Sequence, residues 1–587
     1  MQWSVTPEMS SLRRIAAVAG LLTVAACIWQ LWPGIGNAVR TLGDTDDAMR
    51  IVLVRDLLHG HGWYDQLMTR IDPPHGVYFH WSRLIDGALA ALMWLAGLFL
   101  PPATAELTVR VVWPLAWIFP AVFSALVVAR NLGARTAVLI AAVLMFTEFQ
   151  LYRQFSPGRV DHHDVQITLA MAALAIASMR EIKPRLAAVA GIVSALGLAI
   201  GLEAMLFHAV IGASYAWRLA RERGEARPVG IYGLSLAGAT LVLYGIQTPP
   251  WRWGLVFCDT LAINLVLAAV LAGAGLAAVA FASQKLADGA RIAAVAAAGI
   301  VAAATYLMIE PACIHGPFAN LGLRLHQVWL DRVEELRPWP ETLQTHRSLA
   351  IYGMTMMVMA SAAAAFVWWR RRRMIPEGLA LAMLAVACVC AFQYGRMEDY
   401  ATWIGTPVLA AGFSVLAQRW LKDKMVPTVL AAQLLSPIFV GAALAGDITF
   451  KHATTDQPEK TAQRCLDTAS FRHLALLPRG LVLADIDLGP GILANTPHDI
   501  VTAPYHRMAR QILAAYDALH TPPEQAEAMV RRLDATYIVH CTKLPYKPAS
   551  GLVAQLDAGR NVPWLTRLTE QGELHQIWRV EPIRNRR

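Results

Sequence analysis

Along most of the chain, apolar runs of roughly twenty residues alternate with short polar segments, which is the spacing of membrane-crossing helices. The runs predict spans near 11–32, 107–129, 136–152, 165–180, 186–202, 204–219, 229–247, 258–282, 290–309, 349–369, 377–394, 400–418 and 425–446, thirteen in all. After about residue 447 the pattern changes. "GLVLADIDLGPG" (480–491) and "ATYIVHC" (535–541) predict strands. "YHRMARQILAAYDALH" (505–520) and "PEQAEAMVRRLD" (523–534) predict amphipathic helices. The expected architecture is a polytopic α-helical membrane domain over 1–446 and an α/β domain over 447–587.

Composition agrees with this class. Of 587 residues, 56% are hydrophobic and only 16% charged, an apolar excess beyond what a soluble domain needs. A net charge of +9 does not indicate nucleic acid, because Lys and Arg gather in short segments between the apolar runs. Those segments are "RNLGAR" (130–135), "REIKPR" (180–185), "RLARERGEAR" (218–227), "SQKLADGAR" (283–291), "WWRRRRM" (368–374) and "QRWLKDK" (418–424). All six fall on one side of an alternating topology, and the positive-inside bias makes that side, with the N-terminus, cytoplasmic. The first run, after Arg13 and Arg14, lacks a small-residue cleavage site and reads as a retained helix.

Residues 84–101 are apolar enough to cross, but a span there would put the basic loops outside. They are therefore expected to form an interfacial or re-entrant helix. The outward face then carries loops at about 33–106, 153–164 and 310–348 together with the C-terminal domain. The predicted location is the bacterial inner membrane, with that domain in the periplasm. Cys27, Cys258, Cys313, Cys388 and Cys390 lie in or beside apolar segments and read as small buried hydrophobes. Cys465 and Cys541, in the polar C-terminal part, could pair in an oxidising compartment.

Candidate chemistry gathers on the outward face. "GDTDDAMR" (43–50) offers Asp44, Asp46 and Asp47, whose mutual repulsion a divalent cation would relieve. "FSPGRVDHHDVQ" (155–166) offers Asp161 and His163, which share a side of an extended loop and suit Mn²⁺ or a similar ion; His162 and Asp164 would face away. "DRVEELRPW" (331–339) carries Glu335 in a long loop, and Arg396 precedes a span in "GRMEDYATWIGTP". Arg suits phosphate recognition. Within the spans few ionisable residues sit centrally, unlike the pattern of an ion-coupled transporter.

This order of motifs resembles the GT-C membrane glycosyltransferases, and among them the oligosaccharyltransferase catalytic subunits. The resemblance implies thirteen spans and an external C-terminal domain. It matches Asp44 with Arg50 to the first carboxylate motif, and Asp161 with His163 to the second. Glu335 and Pro338 match the mobile-loop motif, and Arg396 matches the donor-phosphate arginine. The C-terminal part has no Trp-Trp-Asp acceptor motif.

The resemblance implies a metal-dependent inverting transfer of a sugar or oligosaccharide from a polyprenyl-(pyro)phosphate donor in the membrane lipid. The acceptor would be a protein, glycolipid or polysaccharide. Asp44, Asp161 and His163 would hold Mn²⁺ or Mg²⁺. Arg50 and Arg396 would bind donor phosphate, and Asp44 or Asp47 would activate the acceptor, with Asp46 able to replace Asp47. Glu335 would complete the site from its loop. In "NTPHDIVTAPYHR" (495–507), His498, Tyr505 and His506 are candidate acceptor-binding residues. The competing readings are a transporter or flippase of lipid-linked saccharides and a non-catalytic envelope-assembly component.

Overall fold

The computed structural model describes residues 7–318, 321–371, 375–420, 424–445, 464–543, 550–570 and 572–583. The boundary near 447 and parts of the basic segments 368–374 and 418–424 lie outside the described residues. Each of the thirteen apolar intervals falls on a helix. In chain order, α1 is Pro7–Arg40, α2 Thr45–Leu58, α3 Arg83–Gly97, α4 Pro102–Thr147 and α5 His163–Ala177. Then follow α6 Pro184–Ile200, α7 Met205–Arg221, α8 Ala226–Gln247, α9 Ile263–Ala282 and α10 Asp288–Ile309. Short helices α11 (Leu323–Val328) and α12 (Trp339–Thr345) precede α13 (Arg347–Arg371), α14 (Ile375–Gln393), α15 (Glu398–Trp420), α16 (Met425–Leu434) and α17 (Pro437–Ala445).

Among the described residues, 9 helices are long and apolar enough to cross a membrane. Four predicted spans correspond to shorter helical stretches: Thr136–Thr147, α5, α6 and α7. One reason is local. The chain between Phe149 and His162 leaves the helical path to build a polar loop. α3 has 15 residues, about 22 Å of helix and too short to span. It buries Ile85, Leu89 and Met93 and exposes Leu92, Trp94 and Leu95.

The predicted loop 130–135 is instead part of α4, which has 46 residues and would extend about 70 Å if straight. It is not straight. Arg110 donates to the carbonyls of Ala38 and Thr41, while Gln30 donates to the carbonyl of Tyr152, just beyond the other end of α4. Asn131 meets Ala175 and Ser178 at the far end of α5. The chain thus doubles back inside α4, and the antiparallel pair expected from hydropathy is kept. Small residues let other helices cross closely: a Cβ on Gly233 of α8 would lie 2.3 Å from the Gly273 carbonyl oxygen of α9.

The C-terminal domain is a 5-stranded sheet ordered β4-β3-β5-β7-β6. Here β3 is Leu481–Ala484, β4 Asp499–Ile500, β5 Tyr537–Cys541, β6 Leu565–Arg567 and β7 His575–Val580. β3 is parallel to β4 and β5, whereas β7 is antiparallel to β5 and β6. The strand expected over 480–491 stops at Ala484, and the rest turns into helix Gly489–Asn495. Gly489 packs against the Thr502 carbonyl and Gly491 against the Phe471 ring, places where a Cβ would collide.

This domain shares its core with the polar segment after α1. Met49, Val52, Ile71, Phe79 and Trp81 pack with Phe471, Ile492, Ile500 and Tyr505 in one apolar cluster. A parallel bridge joins Ile71 to Ile500. The short hairpin of β1 (Leu67–Met68) and β2 (Val77–Tyr78) lies in the same segment.

Cys465 and Cys541 form a disulfide, the pairing open to them from sequence. Cys258 and Cys313 are also bonded, which corrects their reading as apolar filler. Both stand in the connections flanking α9 and α10 rather than inside a helix pair.

Candidate active site

α2 begins at Asp44, whose carboxylate accepts the backbone N–H of Asp46 and Asp47, while the Asp47 carboxylate accepts the N–H of Asp44. This reciprocal cap satisfies orphan donors of the first turn. Asp47 reaches further, accepting the N–H groups of Val160 at 2.7 Å and Asp161 at 3.1 Å. Arg159 closes the joint by pairing with both Asp44 and Asp47. The "GDTDDAMR" and "GRVDHHD" segments are therefore clamped together.

From Asp161 a chain of charges runs across the helices. His162 Nδ1 meets Asp161 Oδ1, and His163 Nε2 lies 2.9 Å from Asp161 Oδ2. His163 Nδ1 lies 2.9 Å from Glu203, in the α6–α7 connection, and His162 Nε2 lies 3.4 Å from it. Arg396 donates to Glu203 at 2.8 Å and to Glu335 at 2.9 Å. Tyr400 reaches Glu203 at 3.4 Å.

Burial alone would raise the carboxyls of Asp161 and Glu203. His162 and His163 instead hold Asp161 well below the usual carboxylate range, and His163 with Arg396 does the same for Glu203. Asp46 behaves oppositely. Burial, then the charges of Asp161 and Asp44, push its carboxyl well above the ordinary value.

Part of this network borders a cavity of about 1560 Å³, whereas Asp161 and His163 are buried and do not line it. Asp44, Asp46, His162, Glu203, Glu335 and Arg396 line its polar side, and Leu198, Ile200, Leu202, Met205 and Leu206 give it an apolar wall. Tyr505 and His506 line it from the C-terminal domain. Tyr505 donates to the Thr45 carbonyl and reaches the Asp46 carboxyl.

Several predicted residues stand elsewhere. Arg50 is 1% exposed; it donates to Asp86 at 2.7 Å, approaches Asp161 at 3.7 Å and covers Trp81. It is a buried brace between Asp86 and Trp81. Asp47 is wholly buried, with both carboxylate oxygens engaged by backbone N–H groups, whereas Asp46 lines the cavity. His498 is buried inside the C-terminal domain, facing the carbonyls of Gly480 and Leu474. It therefore does not line an acceptor path.

His162, expected to face away, is part of the charge chain. Asp164 is buried with its Oδ1 on the Val165 N–H, clear of that chain. Glu203 and Arg159 were not singled out from sequence. Arg159 stands inside the second motif, and Glu203 is the lone acid in the short connection between two apolar runs.

The fit of a divalent ion rests on donor chemistry. Ligand atoms of His162, His163 and Glu203 all lie within 4.8 Å of one another, and Asp161 adjoins both imidazoles. Two imidazoles with carboxylates suit a borderline ion. Asp161 and His163 thus stand together as the spacing predicts, whereas the Asp44 carboxylate is taken up by Arg159.

No protein-family model matches the chain, and no curated protein matches it in sequence. Solved structures do match. An oligosaccharyltransferase from Archaeoglobus fulgidus, in complex with Zn and sulfate, aligns with a TM-score of 0.61 at 14% identity over 90% of this chain and 68% of its own. AglB from Archaeoglobus fulgidus, in complex with an inhibitory peptide and a dolichol-phosphate, aligns with a TM-score of 0.63 at 13% identity over 90% of this chain and 69% of its own. The arabinofuranosyltransferase AftD from Mycobacteria aligns with a TM-score of 0.51 at 14% identity, covering 97% of this chain and 41% of AftD. At 13% and 14% identity, these likenesses show a shared fold.

Proposed function

We propose that the protein is a membrane glycosyltransferase that moves a sugar or oligosaccharide from a polyprenyl-(pyro)phosphate donor to an acceptor, with inversion, at the periplasmic face of the inner membrane. The observation that carries this reading is that Arg396, Glu203, His162 and Asp46 line one cavity inside a GT-C fold, with the buried pair Asp161 and His163 joined to Glu203 and His162. The apolar wall from Leu198 to Leu206 provides for the lipid chain, and the polar side for its phosphate.

Arg396 binds a phosphate oxygen of the donor; Glu203 and Glu335, its present partners, aim the guanidinium and yield part of its hydrogen bonding to the substrate. The acceptor nucleophile attacks the anomeric carbon, the bond from that carbon to the phosphate oxygen breaks, and the polyprenyl-(pyro)phosphate leaves with the electron pair. Asp46, positioned by the α2 cap and Tyr505, takes the acceptor proton. Glu335, on the loop before α12, helps close the cavity over bound donor. Asp161 and His163, with His162 and Glu203, would hold a divalent ion such as Mn²⁺ or Mg²⁺, which neutralises charge on the leaving phosphate when bound.

The testing experiment supplies purified protein with a synthetic polyprenyl-linked labelled sugar and a mixture of candidate protein, glycolipid and polysaccharide acceptors. Sugar transfer and release of lipid phosphate are measured together. Donor cleavage lost in Arg396→Ala and Asp161→Asn supports the reading. Movement of intact donor across a bilayer without cleavage overturns it in favour of a flippase.

A further inference from the structure

A second group of ligating side chains lies in the same cavity but outside the chain of charges. It consists of His80, before α3, Asp259, before α9, and His506, in the C-terminal domain. Their ligand atoms all lie within 4.8 Å of one another. His506 Nε2 meets Asp259 Oδ2 at 2.7 Å, and the rings of His80 and His506 are 4.7 Å apart between centroids. Asp259 is fixed from two sides. Its neighbour Cys258 is bonded to Cys313, and Arg507 donates to both of its oxygens, at 2.7 and 2.8 Å.

Three separate parts of the chain are needed to bring these side chains together. A simple docking latch would use only the Asp259–Arg507 and Asp259–His506 contacts. It leaves His80 without a role: its imidazole makes no hydrogen bond among the described residues and packs on the rings of Phe79, Trp81 and His506. An imidazole turned toward a second imidazole and a carboxylate has the donor chemistry of a metal ligand. The Arg507 contact serves as the outer support that aligns a ligating carboxylate.

We propose that His80, Asp259 and His506 form a second divalent-cation site, of the borderline class typified by Zn²⁺, that ties the C-terminal domain to the membrane domain across the cavity wall. Two nitrogens and one carboxylate oxygen suit such an ion, whereas Ca²⁺ requires more oxygen ligands. Cavity water completes its coordination. The site is separate from that of Asp161 and His163, and its binding is read without any sugar transfer.

The test uses the full chain in nanodiscs, stripped with chelator and titrated with ZnCl₂ by calorimetry, with bound zinc counted by mass spectrometry. The His80→Ala/His506→Asn variant should lose one zinc equivalent or bind it more than about 100-fold more weakly. Asp259→Asn, which preserves side-chain shape, should weaken the same equivalent. An Asp161→Asn/His163→Ala variant should retain it, and X-ray absorption at the zinc edge of that variant should show two imidazole ligands. Unchanged stoichiometry and affinity in the first two variants overturns the proposal. So does loss of all zinc from the Asp161→Asn/His163→Ala variant, or an absorption spectrum without imidazole.

Discussion

Glu203 and Arg396 are 193 positions apart in sequence and meet at 2.8 Å, while the other Glu203 oxygen lies 2.9 Å from His163 Nδ1. One carboxylate thus fixes the Arg396 guanidinium relative to the His163 imidazole. Glu203→Gln keeps the shape and removes the charge. It is expected to lower kcat by about 10²–10³-fold, roughly 3–4 kcal/mol of transition-state stabilisation, in initial-rate measurements with saturating donor. Unchanged kcat would remove Glu203 from the reacting machinery.

The two arginines of the sequence motifs should separate by assay. Arg396→Ala is expected to lower kcat/KM for donor by about 100-fold or more with little change in melting temperature. Arg50→Ala leaves Asp86 buried with only Arg83 beside it. Breaking such a buried pair costs about 3–5 kcal/mol, so its expected readout is a lower melting temperature. A stable Arg50→Ala protein with a raised donor KM would return Arg50 to the phosphate.

Metal removal supplies a third expectation. Exhaustive chelation should stop transfer, and Mn²⁺ should restore it in the wild-type protein but not in Asp161→Asn. Full activity in chelator would exclude the ion from catalysis.

The C-terminal domain carries its own pH dependence. His540 lies between Asp485 at 2.7 Å and Asp557 at 3.2 Å. Burial would lower its pKa, but those hydrogen-bonded carboxylates push it up to about 10. The unfolded value is about 6.5. A raised folded value means that the stabilisation is complete below about pH 6.5 and is lost as pH rises through about 10. Melting temperature should decline across that window, and His540→Asn should flatten the decline. An equally steep decline in the variant would assign it to other groups.

Local periodicity made the helical intervals legible, because apolar patterning acts within a single element. The pairing of Asp161 with His163 was legible from spacing, and Arg396 from its place before a span. Long-range partners were not. Glu203 was hidden because one acid between two apolar runs has no motif of its own, and its setting comes from four distant partners. The surroundings of Arg50 were hidden for the same reason: only the fold shows that Asp86 and Trp81 enclose it. Pairing of Cys258 with Cys313 depends on how α9 and α10 return the chain to one place. The reversal at 130–135 was legible as a basic segment between two apolar runs, whereas its helical backbone within α4 was not.

The apolar cluster joining Phe79 and Trp81 to Ile500 and Tyr505 has a consequence for biosynthesis. Its first half leaves the ribosome long before its second half. Over that interval the early segment stands with its greasy side uncovered. Nascent chains need shelter over that interval, and a truncated product ending before the C-terminal domain would carry a sticky surface. Holding chaperones and quality-control proteases should recognise that surface first.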